Sequence, residues 1–362
     1  MATGVGYLSI LGAAREATYR TAVTVDNRLP LLAGESIMDK IGFIPSEALG
    51  GKSGLREYNL AGKVVEGGVP MDLIYDQLVS GTPNRHVGIG LPLAIAMGTC
   101  AWSSAGTCNV LTFVESPSVP MTLAFLQRTD AVREAISCFA KGFTISGSAG
   151  KPAKLELDVI AYNLLRTGTV NSTTTLNALP TVYAPRCLFS DMTFRIASDF
   201  ADVLAAVDQI AISDFTLKLD NGMSDAEFAT PESTGHTSST LTLQPVRSGF
   251  RTVTLEFTVP RHTADTYFAS FIAGTPYQAQ ITFTSGTKTF TVYLPSLVID
   301  DPQANIGDAG VFPEKIKMRA LRGGDYNAGA GNAVMLLADG SSLVTEEMAI
   351  EMRNERTAVI WS

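Results

Sequence analysis

The densest group of side chains able to do chemistry lies late in the chain. Asp300, Asp301, Asp308 and Glu314 are followed directly by Lys315, Lys317, Arg319 and Arg322. Adjacent carboxylates such as Asp300-Asp301 suit a hard cation, which takes oxygen ligands, and they equally suit a solvated turn. With bases immediately behind them they also suit ion pairs. We therefore read Asp300, Asp301, Asp308, Glu314, Lys315, Lys317 and Arg319 as candidate contacts between neighbouring subunits, because opposite charges across an interface fix register and partner choice.

Other constellations fail on inspection. A phosphate loop needs GxxxxGK[ST], but Gly150-Lys151 is followed by Pro152 and position 145 is Ile. Gly88-Ile-Gly90 and Gly329-Ala-Gly331 lack the third glycine and the helix start of a nucleotide site. No GxSxG elbow for a nucleophilic serine is present. Cys138, in Ala-Ile-Ser-Cys-Phe-Ala, reads as a small buried residue. Cys100, Cys108, Cys138 and Cys187 form no CxxC pair, and His86, His236 and His262 fall at no ligand spacing from them, so no zinc site is expected. Asn171-Ser-Thr173 fits a glycosylation acceptor only in a secreted chain. No catalytic, cofactor-binding or metal-binding residue is assigned, and the chain reads as a non-enzyme without a cofactor.

Composition narrows the class. The 362 residues give room for about two domains. Charged residues are 17%, against a typical ~25%, and apolar residues 46%, which excludes disorder over most of the length. So apolar a chain has either a large core or surface to hide in an assembly. The net charge of −8 argues against a general grip on nucleic acid, which needs cations to displace counterions. The N-terminus has an apolar run with no cationic start, so no signal peptide is expected. The longest apolar stretch, Val87–Ala101, is broken by Gly and Pro and is shorter than the ~20 residues of a membrane span. Synthesis in a cytoplasm is expected.

The elements that would position these residues are mostly strands. Met121–Gln127, Met192–Ile196, Phe215–Leu219, Val253–Val259, Ala279–Thr284 and Phe290–Ile299 largely alternate apolar with polar or Thr, the period of a strand with one buried face. Phe143–Ser146 and Leu155–Ala161 read as a hairpin across Gly147-Ser-Ala-Gly-Lys-Pro152. Two short helices are expected: Met71, Ile74, Tyr75 and Leu78 mark one, and Ala264, Phe268, Phe271 and Ile272 the other, with Gly81 and Gly274 as stops. Asp199–Ile212 fits helix or strand. Ile37–Leu60 and Ser224–Ser238 read as long loops of the kind that contact partners.

An internal echo surrounds the two expected helices. Glu66-Gly-Gly-Val69-Pro70, Asp72 and Gly81-Thr82-Pro83 repeat in order as Glu256-Phe-Thr-Val259-Pro260, Asp265 and Gly274-Thr275-Pro276. Self-similarity of this kind points to a duplicated sheet-plus-helix unit. The expected division is 1–180, 181–322 and an appended 323–362.

Taken in order, several weak motifs resemble a bacteriophage major tail tube protein of the long, non-contractile siphovirus type. They are Arg15-Glu-Ala-Thr-Tyr19 before Leu29-Pro30, Phe43-Ile-Pro-Ser46, Val65-Glu66-Gly67, Cys138 through Asp158, Ile212 through Asn221, and Tyr293-Leu-Pro-Ser-Leu297. They span most of residues 10–322, and 323–362 departs from the pattern. The resemblance implies a mainly β fold with short helices: two tandem tail-tube-like β-sandwich or half-barrel units whose strands join across subunits into a continuous barrel. It implies a virion tail location and stacked rings, either hexameric or trimeric and pseudo-hexameric; the echo favours the latter. It implies tape measure, tail terminator and distal tail proteins as partners, no membrane, and DNA passing through the lumen without specific binding. A decoration or fibre protein of the virion is the alternative reading.

Overall fold

The structure is a computed structural model and describes residues 9–45, 58–78, 86–104, 106–115, 119–126, 131–180, 185–198, 203–224, 227–229, 241–261, 266–303, 313–323, 334–337, 340, 342–354 and 359–360. The fold is mainly β, as expected. Alternation places the strands where it is regular. Phe215, Leu217 and Leu219 point into the core, while Lys218 and Asp220, which alternate with the last two, are exposed.

The first part of the chain contains β1 (Ile10–Arg15), β2 (Asn27–Leu29), β3 (Met38–Pro45), β4 (Tyr58–Asp72), β5 (Gln77–Leu78), β6 (His86–Val87), α1 (Gly90–Met97), β7 (Gly98–Ser103), β8 (Cys108–Phe113), β9 (Met121–Leu126), β10 (Val132–Ser148), β11 (Lys154–Leu165) and α2 (Thr173–Asn177). Then come β12 (Met192–Ala197), β13 (Asp214–Asp220), β14 (Thr252–Val259), α3 (Thr266–Ala273), β15 (Tyr277–Ser285), β16 (Lys288–Gln303), β17 (Glu314–Ala320), β18 (Met335–Leu336), β19 (Leu343–Val344) and β20 (Ala349–Arg353). All but β18 and β19 belong to one connected sheet.

Two antiparallel circuits can be traced in that sheet. The first runs β1–β2–β4–β11–β10–β9 and returns to β1. Its closure lies just past β2, where Leu31 bridges Met71, the Leu32 amide donates to Pro70 O (2.9 Å) and the Asp72 amide to Pro30 O (3.0 Å). The second runs β12–β13–β14–β17–β16–β15 and returns to β12. It closes on the run into β13, where Gln209 bridges Arg195 and the Ile210 amide donates to Phe194 O (3.1 Å). Chain order maps one circuit onto the other strand for strand. In each, a helix lies between the third strand and the fourth in chain order, α1 in one and α3 in the other. Each helix is followed by a left-handed glycine, Gly98 (φ 96°) and Gly274 (φ 63°), a conformation a Cβ would oppose.

Both circuits share one continuous apolar core, from Leu11, Val69 and Phe143 to Phe215, Phe257 and Ile316. They join along β10, whose first half pairs with β9 and whose second half, Gly142–Ser148, pairs with β13. A second link is β20, which inserts between β16 and β8. The appended segment is thus in part woven into the sheet.

Several expectations need correction. Met71–Leu78 is not a helix. Its amides bond laterally, Leu73 to Ala153 O (3.0 Å) and Tyr75 to Pro185 O (3.2 Å), and Met71, Leu73, Ile74 and Tyr75 are all buried. The apolar spacing there reflects burial on several sides, not one helical face. The first helix is instead α1, whose eight residues are all buried, so it shows no amphipathic stripe. Part of the expected loop at Ile37–Leu60 is β3 and the start of β4. The described part of Asp199–Ile212 is irregular, apart from one 3-10 turn at Ala206–Asp208. Asn171 is buried, with Oδ1 accepting from the Val25 amide (2.8 Å) and Nδ2 donating to Val23 O (2.9 Å), so it is no glycan acceptor in the fold. Gly81-Thr-Pro83, Asp265, Ala264, His236 and His262, and most of Ser224–Ser238, lie outside the described residues.

Candidate assembly surface

An eight-strand span, β3–β4–β11–β10–β13–β14–β17–β16, runs through both circuits. One face packs on the core and the other carries the charges. The candidate residues Asp300, Asp301, Lys315, Lys317 and Arg319 lie at its β16 end. Asp308 lies outside the described residues. Glu314 is buried, on the inward side of β17 beside Ile316 and Met318.

The register brings the exposed candidates together. Asp301 stands opposite Lys317 across the β16–β17 pair. Arg319 reaches Asp300 through Nε (3.2 Å) and a terminal nitrogen (3.1 Å). Lys315 contacts Glu256 at 2.9 Å and Lys317 contacts it at 3.9 Å. Glu256 on β14 is therefore the missed member of the group; only the strand pairing, with Glu256 opposite Lys317, reveals it. Its carboxylate hydrogen bond raises the Lys315 pKa. Exposed pairs like these hold orientation more than they stabilise the fold.

At the β3 end and the centre of the span lies a shallow groove of about 280 Å³ lined by Lys40, Glu66, Lys141, Asp158, Lys218 and Asp220 among others. Lys40 meets Glu66 at 2.5 Å and Lys141 meets it at 3.6 Å. The Lys40 hydrogen bond is the main cause that holds the Glu66 carboxyl below its usual range. Asp158 shifts upward, because burial outweighs Lys218 and Lys141. The groove sits on the junction between the circuits, where a Cβ on Gly142 would lie 2.1 Å from Leu219 O. Beside it, buried Asn221 donates through Nδ2 to Ala96 O (2.9 Å) and Ala140 O (3.1 Å), tying the end of β13 to α1.

The span ends in strand edges that lack a partner among the described residues. β3 pairs only with β4. β16 loses β15 beyond Leu297, and no strand among the described residues pairs with Val298–Gln303 on that side. The helices differ in the same sense: α3 has no buried residue, and Phe268 (53%) and Ile272 (71%) are largely exposed, whereas α1 is wholly buried.

No group of three or more metal-ligating side chains occurs among the described residues, and the four cysteines are free thiols. No described helix is long and apolar enough to cross a membrane. The fold and its charged, open-edged sheet describe a mainly β structural protein. The chain matches the phage tail tube protein family over residues 6–320 and belongs to that family. It is a structural protein of the virion tail, in a family whose members associate with themselves and with other tail components. No curated protein matches it.

Proposed function

We propose that the chain polymerises into stacked rings that form a tail tube of the siphovirus type, through which the DNA genome passes to the host. The observation that carries this reading is the pair of unfinished edges at opposite ends of one sheet, β3 and the last part of β16. Exposed edges template pairing with another chain. Joined head to tail, successive copies would continue the sheet until it closes, and closure removes the edges.

The shared strand order of the two circuits supports two tandem tail-tube-like units, with boundaries near 180 and 322. A ring of three chains then presents six units. The charged face of the span becomes the lumen wall. Several of its basic side chains already meet carboxylates within the chain, among them Lys40–Glu66, Lys315–Glu256 and Arg319–Asp300. Such a wall offers DNA no open cationic track to displace its counterions. The candidate contacts Asp300, Asp301, Lys315, Lys317 and Arg319 sit at the β16 joint, where they orient the incoming edge; Asp308 completes the proposed set, and Glu314, buried on the inward side of β17, drops out of it. Tape measure, terminator and distal tail proteins would meet the tube along its bore and ends.

Negative-stain microscopy of the purified chain tests this reading. Hollow tubes of uniform bore and six-part end views are expected. Isolated subunits at every concentration and salt, or particles without a bore as a decoration protein would give, overturn it.

A further inference from the structure

The junction inside the chain is a template for the junction between chains. This step rests on the tube reading and adds a register and a charge code to it. β10 and β16 each carry a one-residue irregularity, between Ala140 and Gly142 against β11 and between Ile299 and Asp301 against β17. Aligning the two places Lys141 with Asp300 and Gly142 with Asp301. Gly142 faces Asp158, which faces Gly68, while Asp301 faces Lys317, which faces Glu256. Two residues along, Glu66 matches Thr254, and their β-partners Met38 and Lys218 match in turn. Lys40 then takes the place of Asp220. Burial agrees at four aligned pairs, Val65 with Val253, Val159 with Met318, Ala161 with Ala320 and Ile37 with Leu217, while Ile160 is buried where Arg319 is exposed.

Inside the chain Gly142 stands opposite Asp220. We propose that Asp301 of one copy stands opposite Lys40 of the next, with β16 and β3 paired antiparallel, and that this acid–base pair selects the joint. The inner joint has the reverse polarity, with Lys141 on the β10 side and Asp220 on the β13 side. Exchanging partners would bring Lys40 toward Lys141, and Asp220 toward Asp300 and Asp301. Like charges oppose both exchanges. Each strand end is therefore addressed to one partner, and inner and outer joints alternate around the ring. Pro302 takes the place of Phe143 and has no N–H to donate, so side-chain charge matters more at this joint than at the inner one.

The geometry allows a direct test. The Asn221 amide donates to Lys141 O (2.8 Å), which makes Gly142–Asp220 a non-hydrogen-bonded pair. Such pairs have Cα atoms ~4.5 Å apart, within disulfide range. In the double variant Asp301→Cys, Lys40→Cys, oxidation of assembled protein should give covalent dimers and higher ladders on non-reducing gels, absent from either single variant. Asp301→Lys and Lys40→Asp should each lower the assembled fraction about tenfold, and the combined swap should restore it to within about threefold of wild type. Circular dichroism checks that each variant is folded. If the wild type forms tubes but the double-cysteine variant gives no cross-link and the charge reversals assemble like wild type, the register is overturned and the tube reading stays intact. A folded wild type that never polymerises removes both.

Discussion

Gly142 and Leu219 touch backbone to backbone where β10 passes from one circuit to the other, so closely that a methyl group on Gly142 would sit 2.1 Å from the Leu219 carbonyl oxygen. The neighbour is main chain and cannot rotate away. Gly142→Ala should lower the unfolding free energy by about 1–3 kcal/mol, the usual cost of overpacking. Urea denaturation followed by circular dichroism measures it. An unchanged midpoint would show that the joint is looser than its geometry.

Asn221 presents the complementary case, a contact that is lost instead of overfilled. Asn221→Ala removes the donor to Ala96 O and Ala140 O and leaves two carbonyls short of a partner. The expected destabilisation is about 1–3 kcal/mol. Asn221→Asp should be worse, since it turns a carboxylate toward the same two oxygens. Thermal unfolding of both variants checks the ranking, and equal melting temperatures would contradict it.

Glu16 is buried, yet it accepts hydrogen bonds from the Thr122 hydroxyl (2.6 Å), the Ser137 amide (2.8 Å) and the Ser137 hydroxyl (2.5 Å). These bonds fix Ser137 in its left-handed conformation (φ 52°). Burial still prevails and raises the carboxyl pKa above 4.5. The sign follows from linkage. A carboxyl whose folded pKa is raised favours the fold most below its unfolded pKa, and that contribution is lost as pH climbs through the folded value. Glu16→Gln should therefore gain stability relative to wild type as pH rises from 4.5 to 8. Parallel urea titrations at the two pH values measure the difference, and a constant gap would refute it.

Arg251, at the foot of β14, lies 3.8 Å over the Phe113 ring, donates to Val114 O and pairs with Glu347 at 3.2 Å. Its side chain is 4% exposed, and burial lowers its pKa. Arg251→Ala should cost about 3 kcal/mol, because it strips packing and leaves Glu347 without this cation. Arg251→Lys should recover part of the loss, since it restores charge but not the planar stack. A double-mutant cycle with Glu347→Gln apportions the two contributions.

Regular strands were legible because one face is wet. Phe215-Thr-Leu-Lys-Leu219 alternates cleanly, and the turn residues Gly147–Pro152 mark the β10–β11 hairpin that forms with Ser146 opposite Lys154. α3 was legible through its exposed side and the stop at Gly274. α1 was hidden because Leu91 through Met97 are buried all round and carry no period. Met71–Tyr75 mimicked a helix for the same reason. The Val-Pro echo pointed toward duplication through residues that the strand register sets two positions apart, since Gly68, not Glu66, occupies the place of Glu256. The charged group at Asp300–Arg319 was visible as a group, but Glu256 was not. Cross-strand neighbours are decided by ladder register, which local spacing does not encode.

The insertion of β20 between β8 and β16 has a consequence in time. Leu111 leaves the ribosome long before its partner Ile350. Throughout that interval β8 keeps a bare flank, and β16 gains one as soon as it emerges. A growing chain thus displays sticky borders that the folded chain covers. Edge-to-edge pairing between nascent chains is the hazard this order of events creates, and docking of Ala349–Arg353 is what ends it.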